Sequence, residues 1–176
     1  MSSNLLIWTS KGLFCPAGNF FIDPLNKVDR AVITHAHSDH ARSGSKAYLT
    51  AREGNAVLQA RIGKKAHIET LSYRETVNIN GVKLSLHPAG HILGSCQVRL
   101  EHRGEVWVVS GDYKLQADPT CEPMEPLLCH TFVSESTFAL PIYRWTDSTK
   151  VIEHVNQWWQ SNAERGVASV LNVYSL

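Results

Sequence analysis

The greatest capacity for chemistry lies in Thr34-His35-Ala36-His37-Ser38-Asp39-His40, which sets three imidazoles and a carboxylate directly after the apolar run from Arg30 to Thr34. A strand that ends at Thr34 leaves a loop on which His35 and His37 can point one way while Asp39 and His40 turn toward a second point. Nitrogen and carboxylate donors of this kind suit zinc, or manganese where carboxylates dominate. A lone His-x-His is as readily a pair of solvated side chains. His-x-His-x-Asp-His reads instead as half of a two-metal site.

Two further segments supply what a binuclear site would still lack: Pro88-Ala89-Gly90-His91-Ile92-Leu93-Gly94-Ser95 and Val108-Val109-Ser110-Gly111-Asp112-Tyr113. Each places one ligand-type residue, His91 or Asp112, in a glycine turn beside a strand, where glycine permits positive φ and close backbone approach. With the first motif, and in this order, they resemble the metallo-β-lactamase superfamily. The resemblance implies an α/β fold, the αββα sandwich of that superfamily. It also implies that His91 completes one metal site with His35 and His37, that Asp39 and His40 hold a second ion, and that Asp112 bridges the two. Asp23, in Phe20-Phe21-Ile22-Asp23-Pro24, matches the family's first aspartate, which braces the histidine loop by hydrogen bonding instead of binding metal. A ligand histidine needs such a partner on its other ring nitrogen to fix its tautomer and direction.

Ser134-Glu135-Ser136-Thr137-Phe138, after an apolar strand, is similar to the acidic first motif of the β-CASP branch, whose members cut nucleic acids. The runs Gly12 to Gly18, Val28 to His35 and Leu140 to Trp145 are similar to the ligase-associated DNA exonucleases of that branch. The similarity implies a metal-dependent phosphodiesterase acting on DNA beside an ATP-dependent DNA ligase. Two divalent ions, zinc or manganese, would share a water or hydroxide that attacks phosphorus in line. Asp39, Asp112 and Glu135 are then the catalytic carboxylates, with Glu135 supporting a metal ligand by hydrogen bonding. The alternatives are an RNA 3′-end-processing nuclease of the same branch and a catalytically inactive metal-binding fragment.

Composition sets outer bounds on these readings. At 176 residues, 43% hydrophobic and 19% charged, the chain is long enough for a domain with a substantial core. No apolar run approaches membrane-spanning length, and Met1 to Ile7 is too short and uncharged for a secretory signal, so a cytoplasmic location without membrane contact is expected. Cys15, Cys96, Cys121 and Cys129 form no regular framework and are expected as reduced thiols, with Cys129-His130 buried on the approach to a strand. A net charge of +1 neither supports nor excludes a nucleic-acid partner, and the basic spots Arg61 to Lys65 and Arg99 to Arg103 read as solvated surface.

The elements that must position the ligands are short. Leu5 to Trp8, Phe20 to Asp23 and Ala31 to Thr34 read as strands, and Ala51 to Ile62 as a helix with Val57, Leu58 and Ile62 on one side. Thr76 to Ile79 turns through Asn80-Gly81 into Val82 to Leu86, and Gln97 to Glu101 turns near Arg103-Gly104 into Val106 to Val109. Alternation of Val82, Leu84 and Leu86 predicts one buried and one wet face, with His87 at the strand's end and not a ligand. His67, His102, His130 and His154 lack a motif and are expected at the surface or as satisfied core positions. Three prolines between Asp118 and Pro126 mark an extended connection before the strand Thr131 to Val133. A helix is expected from Asp147 to Arg165 with its tryptophans as core anchors, then a buried strand from Val167 to Tyr174. Residues 1–140 are assigned to the N-terminal part of the metallo-β-lactamase domain and 141–176 to the start of an incomplete β-CASP domain. The resemblance implies further histidines beyond Leu176, a metal ligand and a general acid among them, so a truncated chain is expected.

Overall fold

Short apolar runs, separated by turns that reverse the chain, build two sheets that share a core. The computed structural model describes residues 4–173, which fall into two units, residues 4–135 and 136–173. In the first unit one sheet carries β1 (Ile7–Thr9), β2 (Gly12–Cys15), β3 (Phe20–Ile22), β4 (Arg30–Val32), β5 (Ala47–Ala51) and β6 (Ile68–Leu71) side by side in that order. The pairs from β1 to β3 are antiparallel and those from β3 to β6 parallel. The other sheet carries β7 (Thr76–Ile79), β8 (Val82–Pro88), β9 (Cys96–His102), β10 (Glu105–Val109) and β11 (Thr131–Val133) in the order β11-β10-β9-β8-β7. Only β10 and β11 pair in parallel there. This is an α/β chain with two mixed sheets and few helices, compatible with a metallo-β-lactamase-like sandwich.

Both expected hairpins form, and for the expected reason. Asn80 and Gly81 have φ of 52° and 85°, and Arg103 and Gly104 have 51° and 84°. Two consecutive left-handed residues match the right-handed twist of the flanking strands. Cys15, Phe20, Ile22 and Val32 from one sheet and Leu84, Leu86, Val98 and Leu100 from the other meet in one buried cluster between the layers. On the outer face of the first sheet, Ala31, Ile33, Tyr48 and Leu58 form a second cluster, against which Val57 and Ile62 of α1 (Asn55–Ile62) pack. The run from Ala31 to Ile33 is therefore buried on both sides, which is why it is continuously apolar.

Several expectations are corrected by the packing. The helix expected from Ala51 begins at Asn55, because parallel pairing of Ala51 with Leu71 keeps it in β5 and Arg52–Gly54 forms a single 3-10 turn. Only α1 covers a sheet in this unit. The outer face of β8 is wet at Lys83 alone, since Ser85 and His87 are buried beside Glu125. There His87 Nε2 lies 3.0 Å from Ser85 Oγ, and its Nδ1 lies 3.1 Å from Glu125 Oε1. Arg74 Nε is 2.8 Å from the other Glu125 oxygen, so the proline-rich connection is fastened to the sheet through polar groups. Cys129 is only half-buried and His130 is exposed, its ring accepting the Val106 N–H at 2.9 Å. All four cysteines are free thiols.

In the second unit, α2 (Ser148–Glu164) starts where Asp147 accepts hydrogen bonds from the N–H groups of Thr149 and Lys150 at 2.9 and 3.4 Å. Its tryptophans are not core anchors. Trp158 and Trp159 are 41% and 57% exposed, because this unit contains no sheet among its described residues on which the apolar stripe could rest. For the same reason residues 167–173 form no strand, having no neighbour to pair with; Tyr174, also expected in it, lies outside the described residues. No helix among the described residues is long and apolar enough to cross a membrane.

The loop that carries His91 depends on a backbone contact that only glycine allows. A Cβ at Gly94, whose φ is 77°, would run into the backbone of Gly54 at the end of the 3-10 turn. At Gly63, also at positive φ, a Cβ would meet nothing within 4 Å. Both Gly→Ala changes are expected to lower stability by about 1 kcal/mol for backbone strain, and Gly94→Ala by clearly more. Equal thermal-denaturation midpoints for the two variants would contradict the contact.

Candidate metal centre

The histidine loop is pinned at its root by both sheets. Ile33 N donates to Leu49 O at 2.8 Å, extending the β4 pairing by one residue, and Cys96 N at the start of β9 donates to Thr34 O at 2.8 Å. Beyond that clamp His35 and Ala36 are buried, and residues His37 to Ala41 make a turn closed by Ala41 N donating to His37 O at 2.8 Å. Arg61 of α1 reaches back to Ala36 O at 3.2 Å. The His91 loop closes on Ser95, whose Oγ accepts from the N–H groups of His91 and Ile92 at 3.0 and 3.2 Å. Asp112 follows Gly111, where a Cβ would lie 2.7 Å from Thr34 Cβ; the absence of that atom lets the β10 loop settle against the histidine loop.

These loops bring His35, His37, His91 and Asp112 together, with one ligand-type atom of each within 4.8 Å of the others. His37 Nδ1 is 3.0 Å from His35 Nε2 and 3.3 Å from His91 Nε2. Asp112 Oδ2 lies 3.8 Å from His35 Nε2 and 3.7 Å from His91 Nε2. The other oxygen of the same carboxylate faces elsewhere: Asp112 Oδ1 is 3.4 Å from His40 Nε2, which is itself 3.6 Å from Asp39 Oδ2. Asp39 is 73% exposed at its side chain. Glu135, half-buried just past β11, is close enough for its charge to favour protonated His91.

Asp23 stands behind the cluster and touches none of its facing atoms. Its Oδ1 accepts from Thr34 N at 2.8 Å, while Oδ2 accepts from Thr34 Oγ1 at 2.6 Å and from His40 Nδ1 at 2.7 Å. Because the Thr34 hydroxyl donates to Asp23, it is left to accept from His35 Nδ1, 3.1 Å away. His35 then carries its proton on Nδ1 and turns its Nε2 toward Asp112, whereas His40 donates from Nδ1 to Asp23 and faces Asp112 Oδ1 with Nε2. Thr34 is the residue that reading the motif missed as a participant. Its only signal in sequence is a hydroxyl directly before the first histidine, and Ser95 likewise carries no signal beyond closing a glycine turn.

Burial and hydrogen bonding push the histidines of the site in opposite directions. Burial, joined by the neighbouring His40, holds the pKa of His35 down to about 2, and burial also lowers that of His91. For His40 burial works against protonation, but hydrogen bonds to Asp112 and Asp23 outweigh it and raise its pKa to about 10. The hydrogen bond from His40 in turn holds Asp112 at about 2.

A divalent transition ion fits this donor set. Metal–ligand bonds of ~2.0–2.1 Å in a tetrahedron place neighbouring donors roughly 3.3 Å apart; four of the six gaps here run from 3.0 to 3.8 Å, and all lie within 4.8 Å. Three imidazoles, two of them kept from protonation by burial, and a carboxylate crowd their ligand-type atoms together, an arrangement that a cation relieves. Outside this set, His40 Nε2 lies near Asp112 Oδ1 and the exposed carboxylate of Asp39.

Fold and site together define a two-sheet α/β domain with a histidine–aspartate centre suited to divalent metal. No protein-family model matches the chain. It is 29% identical over 170 residues to a probable DNA ligase of Opitutus terrae, a match covering 95% of this chain and 16% of that protein. It is 26% identical to the endoribonuclease YSH1 of Saccharomyces cerevisiae over 86% of this chain and 24% of that protein. With the transcription termination factor FttA of Methanosarcina mazei it shares 26% identity over 87% of this chain and 30% of that protein. The chain thus spans less than a third of the length of these relatives. Among solved structures, Zn(2+)-bound PqqB of Methylobacterium extorquens is 13% identical, covers 46% of this chain and 37% of its own, and superposes with a TM-score of 0.36, too low to carry an argument. The sequence relatives support the metallo-β-lactamase and β-CASP resemblance.

Two outcomes are expected of the centre. Asn tolerates the positive φ of 42° at position 23, so Asp23→Asn keeps the backbone but loses the charge that fixes both histidines. Zinc affinity measured by competition with a chromogenic chelator should fall by about 10–100-fold; an unchanged affinity would show that Asp23 braces nothing. In chelator, stability should peak near neutrality. His40 binds its proton more tightly folded than unfolded, so its contribution is full below 6.5 and is lost as pH rises toward about 10. His35 refuses a proton when folded, so its contribution is full above 6.5 and is lost as pH falls toward about 2. Melting temperatures across this range test it, and a flat alkaline limb would exclude the His40 linkage.

Proposed function

We propose that the chain is the metal-binding part of a metal-dependent phosphodiesterase that cuts nucleic acid, a nuclease of the β-CASP kind, with DNA as its substrate. One observation carries the reading: the two oxygens of Asp112 face two separate donor sets, His35, His37 and His91 on one side and His40 with Asp39 on the other. A carboxylate placed so can be shared by two cations, which is the arrangement used for phosphodiester cleavage.

In this reading His35, His37 and His91 hold one ion, Asp39 and His40 the other, and Asp112 stands between. Bound there, two divalent ions, zinc or manganese, would supply Lewis acidity that lowers the pKa of a water and neutralises charge on a phosphate. The chain's own residues do the rest. Asp23 keeps the Nε2 atoms of His35 and His40 turned inward, through the Thr34 hydroxyl for the first and directly for the second. To hold an ion, His40 would have to give up the Nε2 proton that it shares with Asp112. Glu135 supports His91 electrostatically, and the exposed carboxylate of Asp39 leaves the second position open to a substrate oxygen.

DNA is favoured because the relative matched over 95% of this chain is named a probable DNA ligase; exonuclease work beside an ATP-dependent DNA ligase is the finer form of this proposal. A second reading, RNA as substrate, is supported by the endoribonuclease YSH1 match. Matched DNA and RNA oligonucleotides, labelled at either end and incubated with zinc or manganese, separate these readings and report polarity. Asp112→Asn and His37→Ala should each reduce cleavage by at least about 100-fold. Stoichiometric metal binding with no cleavage of either polymer would replace this reading with that of an inactive metal-binding fragment.

A further inference from the structure

Besides the metal centre, one concavity of the first unit has a strong chemical bias. A cavity of about 260 Å³ opens at the start of β4, lined by the cations Lys11, Lys27, Arg30 and Lys46, the single carboxylate of Asp29, and the ring of Phe21 among others. Asp29 is taken up by Lys46, whose Nζ lies 2.7 Å from its Oδ1. Among the described residues no carboxylate stands within ion-pair distance of Lys11, Lys27 or Arg30, although acidic and basic residues are nearly balanced, 16 against 17, in the whole chain. Asp29 also feels the charge of Lys11, so one carboxylate stands among four cations; cations in such excess around one concave surface repel one another, and an anion between them relieves that repulsion.

Local structure holds the cations in place. Lys11 O accepts the Leu25 N–H at 2.9 Å, so the β1–β2 turn is tied to the segment that carries Lys27. The stem of Lys27 lies along the backbone of Gly44, where a Cβ would come within 2.7 Å of its Cε. Arg30 is fixed in β4, paired with Ala47 of β5. Phe21 stands half-buried beside the charges, its ring tilted by 32° to that of Phe14 with centroids 4.5 Å apart. Cations for a phosphate and a ring for a base are the two components of single-strand recognition.

We infer that this cavity is a second nucleic-acid contact, taking one phosphate-bearing nucleotide unit of a strand whose continuation is presented to the metal centre. The two places lie at opposite ends of the same strand: Arg30 opens β4, and His35 follows its end, about 16 Å away at ~3.3 Å per residue. A mononucleotide reaches one of them, whereas a polymer reaches both. The choice of a polynucleotide over free phosphate rests on the phosphodiesterase reading above; the presence of an anion site does not.

Binding of the full chain to a fluorescein-labelled single-stranded DNA 20-mer, followed by anisotropy in EDTA at several salt concentrations, tests it without any cleavage. Lys11→Gln, Lys27→Gln and Arg30→Gln should each weaken binding several-fold and reduce the salt slope by about 0.7. Lys64→Gln, exposed beyond α1, should leave both unchanged, and circular dichroism checks that each variant is folded. Pocket variants that bind like Lys64→Gln overturn the inference. So does inorganic phosphate that displaces the 20-mer at equal phosphate concentration, which would mark a free-phosphate site. Because the assay needs no metal, a chain that binds through these residues but never cleaves leaves the inference standing while removing the nuclease, and the converse result removes the inference alone.

Discussion

The centre depends on one carboxylate that touches no substrate-facing atom. Asp23 accepts three hydrogen bonds, two from Thr34 and one from His40, and through them decides which nitrogen of two imidazoles is free. A neutral histidine presents one lone pair, and without a fixed partner that pair is split between two tautomers and two ring orientations. Asp23 removes this freedom before any ion arrives. It can do so because β3 ends in a left-handed turn at position 23 and places the carboxylate beside β4, whose Val32 O accepts the Asp23 N–H at 3.0 Å.

From this constraint the rest of the architecture follows. Ligands from three distant parts of the chain can converge only if the strand ends that carry them are fixed to one another. The sandwich does this with few contacts: Cys96 N to Thr34 O joins the two sheets at the site, and the missing Cβ of Gly111 lets the Asp112 loop rest on Thr34. The apolar core between the sheets supplies stability, and the polar ends of the strands use some of it to hold lone pairs that oppose each other. Burial that keeps His35 and His91 neutral has the same effect, since a protonated imidazole would be useless as a ligand.

How much of this could be read from sequence differed by kind of interaction. The meeting of His35, His37, His91 and Asp112 was legible because each sits in a short pattern with glycine or strand punctuation. The hairpins were legible because Asn80-Gly81 and Arg103-Gly104 carry their turn geometry locally. Burial that depends on tertiary neighbours was not. Strands β2, β5 and β6 have weak alternation and exist through pairing. The face of β8 opposite Val82, Leu84 and Leu86 was expected to be wet, yet Ser85 is buried on it, and His87 at the strand's end is covered by a connection distant in sequence. The tryptophans of α2 show helical spacing, which fixes the face they share but not whether anything covers it. Thr34 was invisible for a different reason: one hydroxyl has no pattern, and its part emerges only when Asp23 and His35 are seen on either side of it.

Net charge was the least informative quantity and local charge one of the most. A chain at +1 has no global field to attract a polyanion, yet the start of β4 gathers Lys11, Lys27 and Arg30 without matching carboxylates. At the other end of that strand Asp23, Asp39 and Asp112 draw cations. This opposition has a physical use. A polyanion is repelled by an acidic centre until metal compensates it, so initial attraction must come from elsewhere on the surface, and a basic concavity about 16 Å away is within roughly two Debye lengths at physiological ionic strength. If the proposed function holds, such a layout would make encounter depend on salt and turnover depend on metal. The two dependences are separable because different residues at opposite ends of one strand carry them.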